Sequence, residues 1–401
     1  MTYLINNTLT NAQVNSHNRL RITDYQSIWF NTFQFSKETD NWDEATVTGG
    51  SATWNGANSG VDMATTTASG ASIIRQTIRV IPYIPGRPAQ LNQQIKLATP
   101  IANLTQRVGL FDENNGFFFE LVGASTLNFV IRTSTSGSMQ ETRIARSSWN
   151  GDKLDGTGAS GITLDLTKQQ LISFDYEWYG VGAVTLGFII NGSIINCHTY
   201  YTANIQTTVW CSTPFLPIRL ELFNTGTTAS SSTMRQGSNS VTCDGPFSPN
   251  LGANNSFATP TPITLSLGTY LPIISVRLQS TALNGVLRPT YLTTGATTAA
   301  GAVVVCAYRI IKNGTLTGPS WTNSVNTGSF AQTDSASTAI SGGTIIKQAI
   351  APGTAEDISN IAFQLGRQSL GTVSETYTVA IAQLSTGTQY GQASMQWIES
   401  R

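Results

Sequence analysis

The sequence predicts an all-β protein of two antiparallel β-sandwich, jelly-roll-like domains with an extended N-terminal segment. Short apolar runs with period-two alternation recur from Ile73 to Ile398, and clusters of Gly, Asn, Asp and Pro separate them. No long helical periodicity interrupts this pattern, and Thr354 to Ile361 is the only candidate for a short helix. At 401 residues the chain exceeds what one core usually serves, so more than one domain is expected.

The strongest strand and turn signals lie between Arg107 and Tyr201. Val108, Leu110 and the run Phe117, Phe118, Phe119, Leu121 flank Asp112-Glu113-Asn114-Asn115-Gly116, which predicts a hairpin closed by Asn-Gly. Asn191-Gly192 predicts a second one between Val184–Ile190 and Ser193–Ile195. Residues 1–70 are the least periodic and are expected to form an N-terminal assembly arm, with Ile28–Phe35 as one strand. A first sandwich is expected over 71–244, with strands at Ile73–Pro82, Gln94–Ala98, Leu127–Ile131, Leu171–Trp178, Ile194–Tyr200, Ile218–Phe223 and Ser238–Cys243. The Pro-, Gly- and Asn-dense stretch 245–262 reads as a linker. A second sandwich of about seven strands is expected over 263–401.

Several strings, VGLFDENNGFFFE, IRTSTSG, SWNGDKLDGTGASGITLD and YEWYGVGAVTLGFIINGSI, together with LPIRLELFNTGTTASSSTMRQ, TLTGPSWTNS and ASMQWIESR, resemble a family of β-rich virion structural proteins of tailed bacteriophages and some large DNA viruses. The resemblance covers roughly residues 70–401 in conserved block order and implies a virion component made in the host cytoplasm. Its terminal block implies that the chain ends at a natural terminus. Phe174–Trp178, the glycine-rich bend and Val184–Ile190 also resemble the middle of concanavalin-like lectin sandwiches.

Composition narrows the function. Charged residues make up 11% of the chain, against about 25% in an average soluble protein, which suits extended surfaces that pack against neighbours. With 22 basic and 22 acidic residues and no basic run, nucleic acid is not an expected partner. The four cysteines lack a C-x-x-C pair, so no metal is expected; buried free thiols are the default, with Cys197–Cys211 as a disulfide alternative. No run of membrane-spanning length and no signal-peptide pattern is present, so no membrane association is expected.

Each candidate residue has a plainer role beside the functional one. Trp178, Tyr179 and Tyr201 are candidates for stacking on a sugar ring, although a core Trp178 and a rim Tyr179 are the preferred reading. Glu38, Asp40, Asp43 and Glu44 approach the E-x-D-x-x-E strand of jelly-roll retaining glycosidases, but Glu44 falls one residue late and the expectation is no enzyme and no catalytic residue. His198 beside Cys197 reads as a satisfied strand histidine rather than a catalytic pair. Asp152, Asp155 and Asp165 read as turn caps rather than calcium ligands, and the glycines at 156, 158 and 161 as a surface turn rather than a phosphate loop. No cofactor is expected. The resulting expectation is a capsid decoration, cement or fibre subunit that packs as a homo-oligomer, here a trimer, against other virion proteins. A receptor- or glycan-binding fibre protein is the alternative, and a jelly-roll glycoside hydrolase the second alternative.

Overall fold

The computed structural model describes residues 24–245, 252–324, 326, 328–351, 353–358 and 364–400, with backbone only at 351 and 353–357. The chain divides into two compact units, Met1–Phe247 and Ser248–Arg401.

The first unit contributes β1 (Tyr25–Asn31), β2 (Trp42–Val47), β3 (Gly50–Asn55), β4 (Gly60–Thr65), β5 (Ser72–Thr77), β6 (Ala89–Lys96), β7 (Leu104–Phe111), β8 (Gly116–Val122), β9 (Thr126–Thr133), β10 (Gln140–Ala145), β11 (Gln169–Tyr176), β12 (Val184–Ile190), β13 (Ser193–Tyr200), β14 (Ile218–Asn224) and β15 (Ser232–Asp244). They form two antiparallel sheets. One runs β13-β12-β11-β6-β15-β4-β3 with β1 also on β15, and the other runs β10-β9-β8-β7-β14-β5-β2.

Aromatic rings fill the space between these sheets. Phe117 on β8 lies 5.3 Å from Phe174 and 5.1 Å from Tyr176, both on β11 of the opposite sheet, and Phe119 lies 5.6 Å from Phe188 on β12. Strand alternation sends Phe118 the other way, which is why three successive phenylalanines are all buried. The β7–β8 turn is closed by the Asp112 carboxylate, which accepts from the backbone of Asn114 and Asn115. In the β12–β13 turn Asn191 and Gly192 have φ of 52° and 77°, as the Asn-Gly signal requires.

The boundary expected near residue 70 has no counterpart. β2 pairs with β5, β3 with β4, and β1 with β15, so residues 25–65 are strands of the sandwich rather than an arm. The partner of β1 is distant in sequence, with Tyr25 opposite Asp244, and local periodicity carries no trace of such a pairing. Residues 1–23 lie outside the described residues. The division between units falls within the expected linker, of which 246–251 lie outside the described residues and 253–258 form a strand.

The second unit contributes β16 (Ala253–Ala258), β17 (Ile263–Thr264), β18 (Leu271–Leu278), β19 (Val286–Thr298), β20 (Cys306–Lys312), β21 (Thr315–Thr317), β22 (Thr322–Asn323), β23 (Ala331–Asp334), β24 (Ala339–Ser341), β25 (Thr344–Ala351), β26 (Gly353–Asp357), β27 (Arg367–Gln368), β28 (Val373–Ser374), β29 (Thr376–Gln383) and β30 (Gln389–Ser400). Its main sheets run β16-β30-β19-β26, with β17 on β30, and β22-β23-β18-β29-β20-β25. Trp397, Tyr308, Ile274, Val379 and Ile381 are in the core they enclose. The short helix expected at 354–361 is instead strand β26 as far as Asp357, paired to β19; residues 359–361 lie outside the described residues.

The inter-sheet ring cluster gives a stability prediction. Phe117→Ala is expected to cost about 3–5 kcal/mol and to lower the urea midpoint of the first unit without changing the slope of its transition.

Candidate functional site

The site is built where β11, β12 and β13 end. Beyond Tyr176 the chain turns through Glu177-Trp178-Tyr179-Gly180-Val181-Gly182, and Glu177 N–H donates to Ala183 O while Gly182 N–H donates to Trp178 O at 2.7 Å. Only glycine fits at 182, because a Cβ there would lie 1.7 Å from the Glu177 carbonyl oxygen. Trp178 is half-buried and donates its indole N–H to Cys211 O at 2.8 Å, while its backbone N–H donates to the Tyr83 hydroxyl oxygen at 3.0 Å. Tyr179 follows in the left-handed region, with φ of 36°, and its ring is 51% exposed.

A second loop, 201–211, lies against the first. Val184 is paired with Tyr200, so Tyr201 emerges at the same end of the sheet. The buried Thr202 donates its hydroxyl to Gly182 O at 2.8 Å, and Trp210 N–H donates to Gly180 O at 2.9 Å. Tyr201, 58% exposed, is thereby held on a braced loop, with Ile205, Val209 and Val181 also exposed on the two segments. Together 177–183 and 201–211 contain one charged residue, the buried Glu177. Of the three residues singled out from sequence, the structure brings all of them to this end: Tyr179 and Tyr201 as exposed rings, Trp178 as their support. Val181, Ile205 and Val209 went unnoticed; isolated aliphatics in loops carry no periodicity.

The other candidates take plain roles. Glu38 and Asp40 lie in the turn before β2 rather than on a strand, and Asp43 and Glu44 occupy alternate positions on β2, hence opposite faces. Glu44 pairs with the buried Arg75 and with Lys37. His198 accepts from Asn150 N–H at Nδ1 and stands edge-on to Phe129 at 5.8 Å. Leu186 and Gly187 face His198 and Asn196, so Cys197 is the extra residue of a bulge, and the regular alternation assumed for this strand is broken there. All four cysteines are free and buried, so the Cys197–Cys211 disulfide does not form. Burial pushes the Cys211 thiol up to about 12 and raises that of Cys197 as well, which disfavours the thiolate at both. Asp152 accepts from Leu154 and Ser160 N–H, and Asp155 and Asp165 accept from Thr157 and Thr167, as turn caps do. Among the described residues no cluster of metal-ligating side chains occurs.

A charged layer on the outer face of the second sheet was also not anticipated. Phe111, Phe118 and Val130 form a buried floor there. The Arg132 guanidinium lies 5.0 Å over Phe118 and Arg107 5.2 Å over it, with Arg219 5.7 Å over Phe111. Glu120, fully buried, accepts from Arg107, Arg143 and Asn128. Glu221 accepts from Arg219 at 2.7 Å and Arg107 at 3.1 Å, and Glu141 from Arg132 and Arg143. Burial alone would raise the Glu221 carboxyl, but Arg219, Arg107 and Arg132 outweigh it and hold the group below its ordinary value of 4.5. The sequence signal was present on β14, where Arg219 and Glu221 alternate with apolar residues, and as the single charges Arg107 on β7 and Glu120 on β8, but which charges meet depends on strand order.

No protein-family model and no curated relative matches the chain. Solved structures similar to it include the legume lectin-like domain of Entamoeba histolytica, at 12% identity, over 54% of this chain and 97% of that one, with a TM-score of 0.32. A Bacteroides ovatus family 16 glycoside hydrolase in complex with the product G4G4G3G aligns at 11% identity, over 53% and 99% of the two chains, with a TM-score of 0.37. The CBM2 module of the evolved Dit of Lactobacillus casei BL23 phage J-1 aligns at 8% identity over 56% and 99%, with a TM-score of 0.38. The sequence reading expected no enzyme; with family 16 glycoside hydrolases among the similar structures, that expectation is withdrawn.

The charged layer makes stability depend on pH. Because the folded carboxyl of Glu221 lies below its unfolded value, its contribution is complete above about pH 4.5 and is lost as pH falls through the folded value. Glu221→Gln is expected to destabilise the protein by about 3 kcal/mol at pH 7 and to flatten the fall in melting temperature below pH 4.5, as measured by thermal denaturation from pH 3 to 7.

Proposed function

We propose that the chain is a glycan-binding protein whose site is the loop end carrying Tyr179 and Tyr201, and that it works at the surface of a viral particle. The carrying observation is the pair of half-exposed tyrosines on two loops tied to each other by hydrogen bonds. Sugar rings present apolar C–H faces, and flat aromatic rings with polar edges match them. Two rings held by a braced loop pair bind with little loss of side-chain freedom, as the fixed loops of a rigid scaffold allow. The near absence of charge in both loops favours a neutral oligosaccharide over a sialylated or sulfated one.

Tyr179 is also displayed at a conformational cost. A non-glycine residue at φ of 36° costs on the order of 1–3 kcal/mol, and its ring lies against Gly86, where a Cβ would come within 2.9 Å of the tyrosine hydroxyl. The setting on a virion is supported by the sequence blocks of the viral family, which fall on β7 to β15 and on the second unit.

Tyr179→Gly separates the two contributions. It relieves backbone strain, so the melting temperature is expected to hold or rise, whereas binding to a neutral glycan identified on an array is expected to weaken about tenfold or more, as read by calorimetry. Unchanged affinity in both Tyr179→Gly and Tyr201→Ala would overturn the assignment.

A further inference from the structure

The second unit carries an apolar cap that no part of the glycan reading uses. Leu267, Val303, Val305, Ile350 and Leu384 are each between 44% and 69% exposed. Strand register brings them to one end of the unit. Gln383, the last residue of β29, is paired with Cys306, the first of β20, and also bridges Leu267. Leu384 follows Gln383, Val305 precedes Cys306, and Ile350 is paired with Ala307. Val303 bridges Thr297 near the end of β19.

The alternation in this stretch is that of a strand with two apolar faces. Val304 packs against the core, while Val303 and Val305 point outward. Single exposed aliphatics are ordinary, but five on four adjoining segments make a patch of the kind that marks an interface. The segments that build it, 265–269, 298–308, 348–351 and 376–398, contain no Asp, Glu, Lys or Arg.

We propose that this cap is a self-association surface whose occupant is the same cap on a second copy of the chain. A partner with a charged face would bury its charges against groups unable to compensate them. A second copy brings an uncharged aliphatic face of the same composition, and symmetric pairing of one patch with itself is the commonest arrangement of homo-oligomers. The chain's zero net charge leaves no long-range repulsion between copies. Ile350 also lies on β25, whose only partner among the described residues is β20, so the cap adjoins an open sheet edge.

Sedimentation velocity of the full chain across a concentration series tests this. The wild type is expected to associate reversibly beyond its 42.9 kDa monomer. Val303→Asp and Val303→Lys are each expected to remain monomeric with unchanged circular dichroism, and their equimolar mixture to recover the association, which a folding defect would not permit. A wild type that stays monomeric throughout, or an oligomer that persists in both variants, overturns the proposal. So does a mixture that stays monomeric.

Discussion

The first unit depends on the contact of Phe117 with the opposite sheet. This one ring touches Phe174 and Tyr176 on β11 and lies 6.1 Å from Trp210 in the second loop. It therefore fixes the spacing of the two sheets and anchors both segments that carry the exposed tyrosines. Tyr176 stacks with Tyr83 at 6.1 Å, and the Tyr83 hydroxyl accepts the Trp178 backbone N–H. From β8 to Tyr179 the path is a continuous series of packed rings and hydrogen bonds. A displayed aromatic needs such a foundation, because a ring that must be ordered on binding loses part of its contribution to entropy.

The same strand serves the outer face through its intervening residues. Phe118 and Glu120 lie between Phe117, Phe119 and Leu121, and they support the arginine–glutamate layer. Guanidinium groups over aromatic rings keep water from the floor while their N–H groups satisfy buried carboxylates. The layer is tightly committed to itself: Glu120, Glu141 and Glu221 are each held by at least two arginines. By contrast the loop end has exposed rings and almost no charge, and chemistry of that kind is suited to a neutral, partly apolar ligand.

What the sequence disclosed follows from the range of the interactions. The hairpins at Asp112–Gly116 and Asn191-Gly192 were legible because turn chemistry is local. The alternation on β12 was legible because the large apolar residues Val184, Leu186 and Phe188 share one buried face while Thr185 and Gly187 lie on the other. The strand expected at Ile28–Phe35 overlaps β1 over Ile28–Asn31, but its pairing with β15 was not legible, nor were β2 to β4, since Trp42–Val47 is half-exposed and owes its order to β5. Tyr179 and Tyr201 could be named, but sequence alone could not say that Thr202 and Trp210 join their loops. The arginine layer was hidden for the same reason, because Arg107 meets Glu221 only once β14 lies beside β7.

The central claim is that sugar contacts the two tyrosine loops, and chemical-shift mapping by nuclear magnetic resonance addresses it directly. With tyrosine and valine side chains labelled, addition of a bound neutral oligosaccharide is predicted to shift Tyr179, Tyr201, Val181 and Val209 while leaving Val108 and Val379 in the two cores unmoved. Shifts confined to other surfaces, with these four residues unchanged at saturation, would contradict the account.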